Sequence, residues 1–114
     1  METIEFLVQG SAPDPYRVTF VRDSNEVSAL CSCPAGENGG YCKHRLSILD
    51  GVLDGVVSTN AHQVREVGSW LPGSSLESCL AEVASAAKAV ENAKRLEAQA
   101  KKKLARVLAG GRKK

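Results

Sequence analysis

Three features of the 114-residue sequence predict an α+β fold: alternating apolar positions up to about Cys33, a glycine-rich loop that leads into helical spacing, and a run from Leu76 to Ala109 without Gly or Pro. The expected architecture is a small antiparallel β-meander with one short helix, followed by a long C-terminal α-helix.

Thr3–Gln9 places Ile4, Phe6 and Val8 on one side, the period of a half-buried strand. Gly10-Ser11-Ala12-Pro13-Asp14-Pro15 is dense in turn formers and ends it. Tyr16–Arg22 alternates again through Tyr16, Val18 and Phe20, Asp23-Ser24-Asn25-Glu26 reads as a hairpin turn, and Val27–Cys33 is the third strand. Short connections favour pairing of neighbours, hence a meander. Pro34 stops the third strand, and Ala35–Tyr41 reads as a loop rich in glycine. Leu46, Leu49, Leu53 and Val56 then recur at helical spacing, which predicts a helix over Lys43–Val57 despite Gly51 and Gly55, each worth about 1 kcal/mol against it. Residues 58–75 read as a linker with a short helical turn around Val64 and Val67, and Trp70 is its only large side chain. Ser74 and Glu77 form a capping-box pattern ahead of the long helix expected over 76–109, which would reach ~50 Å, and 110–114 is a basic tail.

Only five residues are aromatic (Phe6, Tyr16, Phe20, Tyr41 and Trp70), so the core is mostly aliphatic and small. Domains of this size usually need a disulfide or metal staple. No apolar run approaches the ~20 residues of a membrane span. Met1–Gly10 carries Glu2 and Glu5 without a basic flank, which argues against a signal peptide. The expected setting is a reducing cytoplasm, where clustered cysteines more often bind metal than form disulfides. The net charge of +2 conceals an asymmetry, with −4 over residues 1–60 and +6 over residues 61–114.

Cys31-Ser-Cys33 and Cys42-Lys-His44 carry the chemistry. Cysteines at i and i+2 on an extended segment point to the same side, so both sulfurs can reach one ion. On a regular helix Cys42 and His44 would lie ~200° apart, so they must straddle the entrance of the following helix. Three thiolates and one imidazole suit one tetrahedral Zn²⁺ per chain, bound by Cys31, Cys33, Cys42 and His44. Its formal charge of −1 would be eased by Lys43, Arg45 and the helix N-terminus. With all four positions filled by protein, the site is of the structural type. Buried apolar thiols or a single disulfide would fit two such pairs, set between strand and helix, less well. Cys79 on the long helix has no metal role and reads as a core or interface thiol, and His62 as an ordinary polar residue. No phosphate loop, nucleophile elbow or paired-carboxylate motif is present, so an enzyme is not expected.

The pattern C-x-C…C-x-H, with Cys33-Pro34 and Cys42-Lys43-His44, resembles the SWIM-type zinc finger, and the likeness takes in Tyr16-Arg17-Val18-Thr19-Phe20 and the helix after His44, roughly residues 16–57. The resemblance implies a zinc-dependent ββα module for DNA binding or protein interaction, with no chemistry of its own. Residues 1–57 are accordingly expected to form a zinc-stabilised, SWIM-like finger domain.

On the long helix, Leu76, Leu80, Val83, Ala87 and Val90 follow the 4-3-4-3 spacing of a coiled-coil seam, and Ala93, Leu96, Ala100, Leu104 and Val107 continue it after a slip in register. A stripe of that length must be buried, so a homodimer or a docked protein partner through residues 76–109 is expected. Lys94, Arg95, Lys101, Lys102, Lys103, Arg106, Arg112, Lys113 and Lys114 against Glu97 place +8 in 21 residues, a candidate nucleic-acid contact. It holds no aromatic residue for base stacking. Two readings remain: a nucleic-acid-binding or adaptor module, and a small regulator or inhibitor of a larger protein.

Overall fold

The structure, a computed structural model, describes residues 1–110. Three antiparallel strands, β1 (Glu2–Val8), β2 (Tyr16–Asp23) and β3 (Glu26–Cys31), form a sheet in the order β1-β2-β3. Four helices follow among the described residues: α1 (Pro34–Glu37), α2 (Lys43–Leu49), α3 (Val64–Ser69), preceded by a 3-10 turn at Ala61–Gln63, and α4 (Ser75–Leu108). The chain divides into two compact units, Met1–Ser78 and Cys79–Lys114. The mixed α+β class and the meander expected from the alternation are both present.

The register follows from which side chains have to be buried. Ile4 pairs with Phe20, Phe6 with Val18 and Phe20 with Ala29, which puts Ile4, Phe6, Val8, Val18, Phe20 and Val27 on one buried face. Phe6 and Phe20 meet edge to face, with ring centroids 6.0 Å apart. The opposite face carries ion pairs such as Arg17–Glu5, 3.1 Å. The β2–β3 loop is only Ser24-Asn25, and Ser24 takes φ 57°, as a turn matched to the twist of the strands requires.

Two expectations are corrected. The helix expected over Lys43–Val57 stops at Leu49. Gly51 takes φ 82°, its N–H donates to the Ile48 carbonyl (2.9 Å) and the Val52 N–H to that of Ser47 (2.9 Å), which completes a Schellman ending. The chain beyond it runs along the free edge of β1: the Gln9 N–H donates to Gly55 (2.8 Å), the Val57 N–H to Leu7 (2.8 Å), and the Asn60 side-chain amide to Glu5 (2.8 Å). It thereby covers strand groups that would otherwise lack partners.

Residues 58–75, expected as a linker, instead complete the core. Val64, Val67 and Trp70 are 2%, 0% and 4% exposed and cluster with Phe6, Phe20 and Ile48. The sheet has one apolar face and α2 is too short to cover it, so the α3 segment closes it. Ser74 caps α4 by accepting from the Glu77 N–H (3.1 Å), and the Glu77 carboxylate accepts from the Gly73 N–H (3.1 Å), one residue before the capping-box position. Among the described residues no helix is long and apolar enough to cross a membrane.

Candidate metal centre

β3 ends at Cys31, and two residues later the chain turns into α1 with Cys33 as its N-cap. Cys33 is extended (φ −69°, ψ 160°), Pro34 opens the helical turn with its φ already fixed, and the Cys33 sulfur accepts from the Gly36 N–H at 3.3 Å. The loop expected over Ala35–Tyr41 therefore contains one helical turn, made by a cysteine cap. Cys42 is the extended N-cap of α2 and His44 lies in its first turn, so neither is held to the regular helical separation.

These elements bring four donor atoms together. The Cys33 and Cys42 sulfurs are 3.5 Å apart, and His44 Nδ1 lies 3.8 Å from the Cys31 sulfur and 3.7 Å from that of Cys42. All four donors lie within 4.8 Å of one another, and the three cysteines are buried. Zinc with Zn–S near 2.3 Å and Zn–N near 2.0 Å spans a tetrahedron with edges of about 3.5–3.8 Å. The donor set fits in both spacing and chemistry.

Crowding splits the thiol acidities. Burial pushes the Cys31 thiol up to about 12, with its neighbours Cys33 and Cys42 adding to the rise. Burial also opposes ionisation of Cys42. It is outweighed by the backbone N–H of Arg45 beside the sulfur and by contacts with Cys33, Cys31 and His44, which bring Cys42 down to about 6. Three adjacent sulfurs cannot all charge in a low-dielectric site without a cation, so one ionises early and another late. A dication removes the conflict, and three thiolates with one neutral imidazole would hold it.

The supporting residues are less visible in the sequence. A Cβ on Gly36 would stand 2.5 Å from the Cys31 carbonyl oxygen and 2.8 Å from the Cys31 Cβ, so only glycine lets α1 fold against the end of β3. Gly10 makes similar room: a Cβ there would stand 2.6 Å from the Tyr16 ring and 3.0 Å from His44 Nε2. The Tyr16 and His44 rings pack at 5.0 Å. Arg45, expected to offset the charge of the centre, also acts as a tie. It donates to the carbonyls of Ala29 (3.0 Å) and Gly40 (2.6 Å) and so fixes the loop before Cys42 to β3.

The remaining sequence-predicted residues lie elsewhere. Cys79 is exposed on α4, so it is not a core thiol, and His62 is exposed beside α3. Lys94, Arg95, Lys101, Lys102, Lys103 and Arg106 are exposed on α4, whereas Arg112, Lys113 and Lys114 lie outside the described residues. Among the described residues no other group of three or more His, Cys, Asp or Glu donors converges as a metal site.

A strand, a cysteine-capped turn and a helix entrance that together offer three thiols and an imidazole define a small zinc-finger domain with a structural ion. Residues 6–50 match the family model of the SWIM zinc finger, and the four donors lie within that span. The match starts inside β1 and ends at the C-cap of α2, so Val64, Val67, Trp70 and the whole of α4 lie beyond it. No curated protein and no solved structure matches the chain.

Proposed function

We propose that the protein is a non-catalytic binding module, in which a zinc-stapled finger carries a helix that self-associates and binds nucleic acid through its basic side chains. The observation that supports this reading is the surface of α4. Every residue from Ala81 to Gly110 is exposed. Val83 and Val90 and, after the slip in register, Leu96, Leu104 and Val107 are among them, 47–68% exposed. Apolar side chains grouped in such stripes call for a covering surface. In the C-terminal half of α4 the six bases occupy the other sides of the helix, with Glu97 the one acid, paired to Lys101 at 3.8 Å. Such a density of positive charge is suited to phosphates.

The zinc donors are all supplied by protein, which leaves no open position for a catalytic water. Free thiols at Cys31, Cys33, Cys42 and Cys79 suit a reducing cytoplasm. The test is binding of a labelled DNA duplex at two salt concentrations. Affinity should fall by orders of magnitude between about 50 and 200 mM salt, because each neutralised phosphate releases counterions. The triple variant Lys101→Glu, Lys102→Glu, Lys103→Glu should lose binding and keep its zinc content and helicity. A variant that binds as tightly as the parent would overturn the nucleic-acid reading and favour the regulator or inhibitor of a larger protein.

A further inference from the structure

Resting on the self-association proposed for α4, we infer that the seam is covered by a second copy of the same helix running antiparallel. Leu76 is already packed against the core of the first unit, so the available seam begins at Leu80. It runs Leu80, Val83, Ala87, Val90, then Ala93, Leu96, Ala100 and Leu104. Three successive three-residue steps from Ala87 to Leu96 turn the stripe round the helix, and Val83, Val90, Ala93, Ala100 and Leu104 stay within about 100° of one another as its shared face. Folded back about the midpoint between Glu91 and Asn92, the pattern matches itself. Val90 falls level with Ala93, Ala87 with Leu96, Val83 with Ala100, and Leu80 within one residue of Leu104.

This symmetry decides how the layers fill. In an antiparallel pair the central layers each join one large and one small side chain, Val90 with Ala93 and Val83 with Ala100. In a parallel pair every position faces itself. Val83, Val90 and Leu96 would form thick layers, and Ala87, Ala93 and Ala100 thin ones between them. Two helices at a constant separation cannot fill both kinds at the density of a protein interior.

Charge points the same way independently. Ser75–Asn92 carries Glu77, Glu82 and Glu91 against Lys88, whereas the rest of α4 carries Lys94, Arg95, Lys101, Lys102, Lys103 and Arg106 against Glu97. A parallel pair stacks the basic halves on each other. The antiparallel pair sets each basic half beside an acidic one, with Glu82 level with Lys101 and Glu77 with Arg106. Lys88 and Arg95 are the one level at which like charges meet.

The exposed Cys79 supplies the test. In the antiparallel pair it lies level with Leu104 of the second copy, so the two Cys79 positions are separated by about 37 Å of helix; in a parallel pair they are neighbours. Zinc-loaded full-length protein, spin-labelled at Cys79 and checked against Cys79→Ser, should sediment as a dimer with a label distance near 37 Å. A monomer at high micromolar concentration would overturn self-association itself. A dimer with labels within about 15 Å would leave self-association standing and overturn the antiparallel arrangement alone. A second arm uses side-chain volume. Ala100→Leu should weaken the dimer at least tenfold by setting Leu against Val83, and adding Val83→Ala should restore it. A dimer strengthened by Ala100→Leu alone would overturn the arrangement.

Discussion

At Gly36 the requirement is clearance rather than flexibility. It lies in the turn of α1, where any Cβ would run into the backbone of Cys31. Gly36→Ala should therefore force β3 and α1 apart, cutting zinc stoichiometry and lowering the melting temperature, whereas Gly39→Ala, with open space around its Cβ but φ 73°, should cost only about 1–2 kcal/mol and keep the metal. Equal effects of the two changes would show that the clearance at Gly36 is not critical. The thiol acidities give a second prediction. Cys42, lowered to about 6, adds stability to the metal-free fold above its ordinary range, and that contribution is lost as pH falls through about 6. Cys31, raised to about 12, does the reverse: its contribution is full below the ordinary range and is lost as pH rises toward about 12. Near neutral pH Cys42 is thus already a thiolate and Cys31 still a thiol. Zinc uptake by chelated protein at about pH 7.5, followed by calorimetry in buffers of different ionisation enthalpy, should release close to three protons per ion, because the opened chain returns its thiols to their ordinary range. Release of clearly fewer would show that a folded metal-free site with an ionised Cys42 persists. The four donors were legible in the sequence because their spacing sets which side chains can converge. The clearances at Gly36 and Gly10 were not, because spacing says nothing about what a missing Cβ would meet.

Among the elements, the strands and α4 were readable because their patterns are long, and each has one strong period. The segment between them was misread for two physical reasons. Leu53 and Val56 continue a helical spacing that the Schellman ending at Gly51 has already broken, and they belong to the chain that runs back along β1. Val64, Val67 and Trp70 are too few and too scattered among polar residues to mark a core element by periodicity, yet the open face of the sheet needs them. Trp70→Ala should cost about 3–5 kcal/mol, the usual penalty for a large aromatic lost from a core. A loss below about 1 kcal/mol by denaturant unfolding would restore the linker reading for residues 58–75.

For the whole molecule, the core of the first unit includes Cys31, Cys33 and Cys42, so three of its buried positions are also metal donors. Zinc binding supplies apparent energies of about 10–16 kcal/mol in isolated fingers, comparable to the entire stability of a small domain. Chelation should therefore open the first unit as a whole, and the emission of Trp70, 4% exposed in the folded core, should shift to the red. Cys33→Ser should produce the same spectrum without chelator. α4 beyond Ser78 depends on different physics, since Ala81–Leu108 is exposed and rich in good helix formers. Paired with a second copy, it should keep its helical signal after zinc is removed. DNA binding separates the two units most directly. If the basic half of α4 carries the contact, chelated full-length protein should bind a duplex with nearly the affinity and salt slope of the zinc form. Loss of binding together with zinc, while the helical signal persists, would assign the contact to the finger and make the charge on α4 a matter of solubility and dimer register.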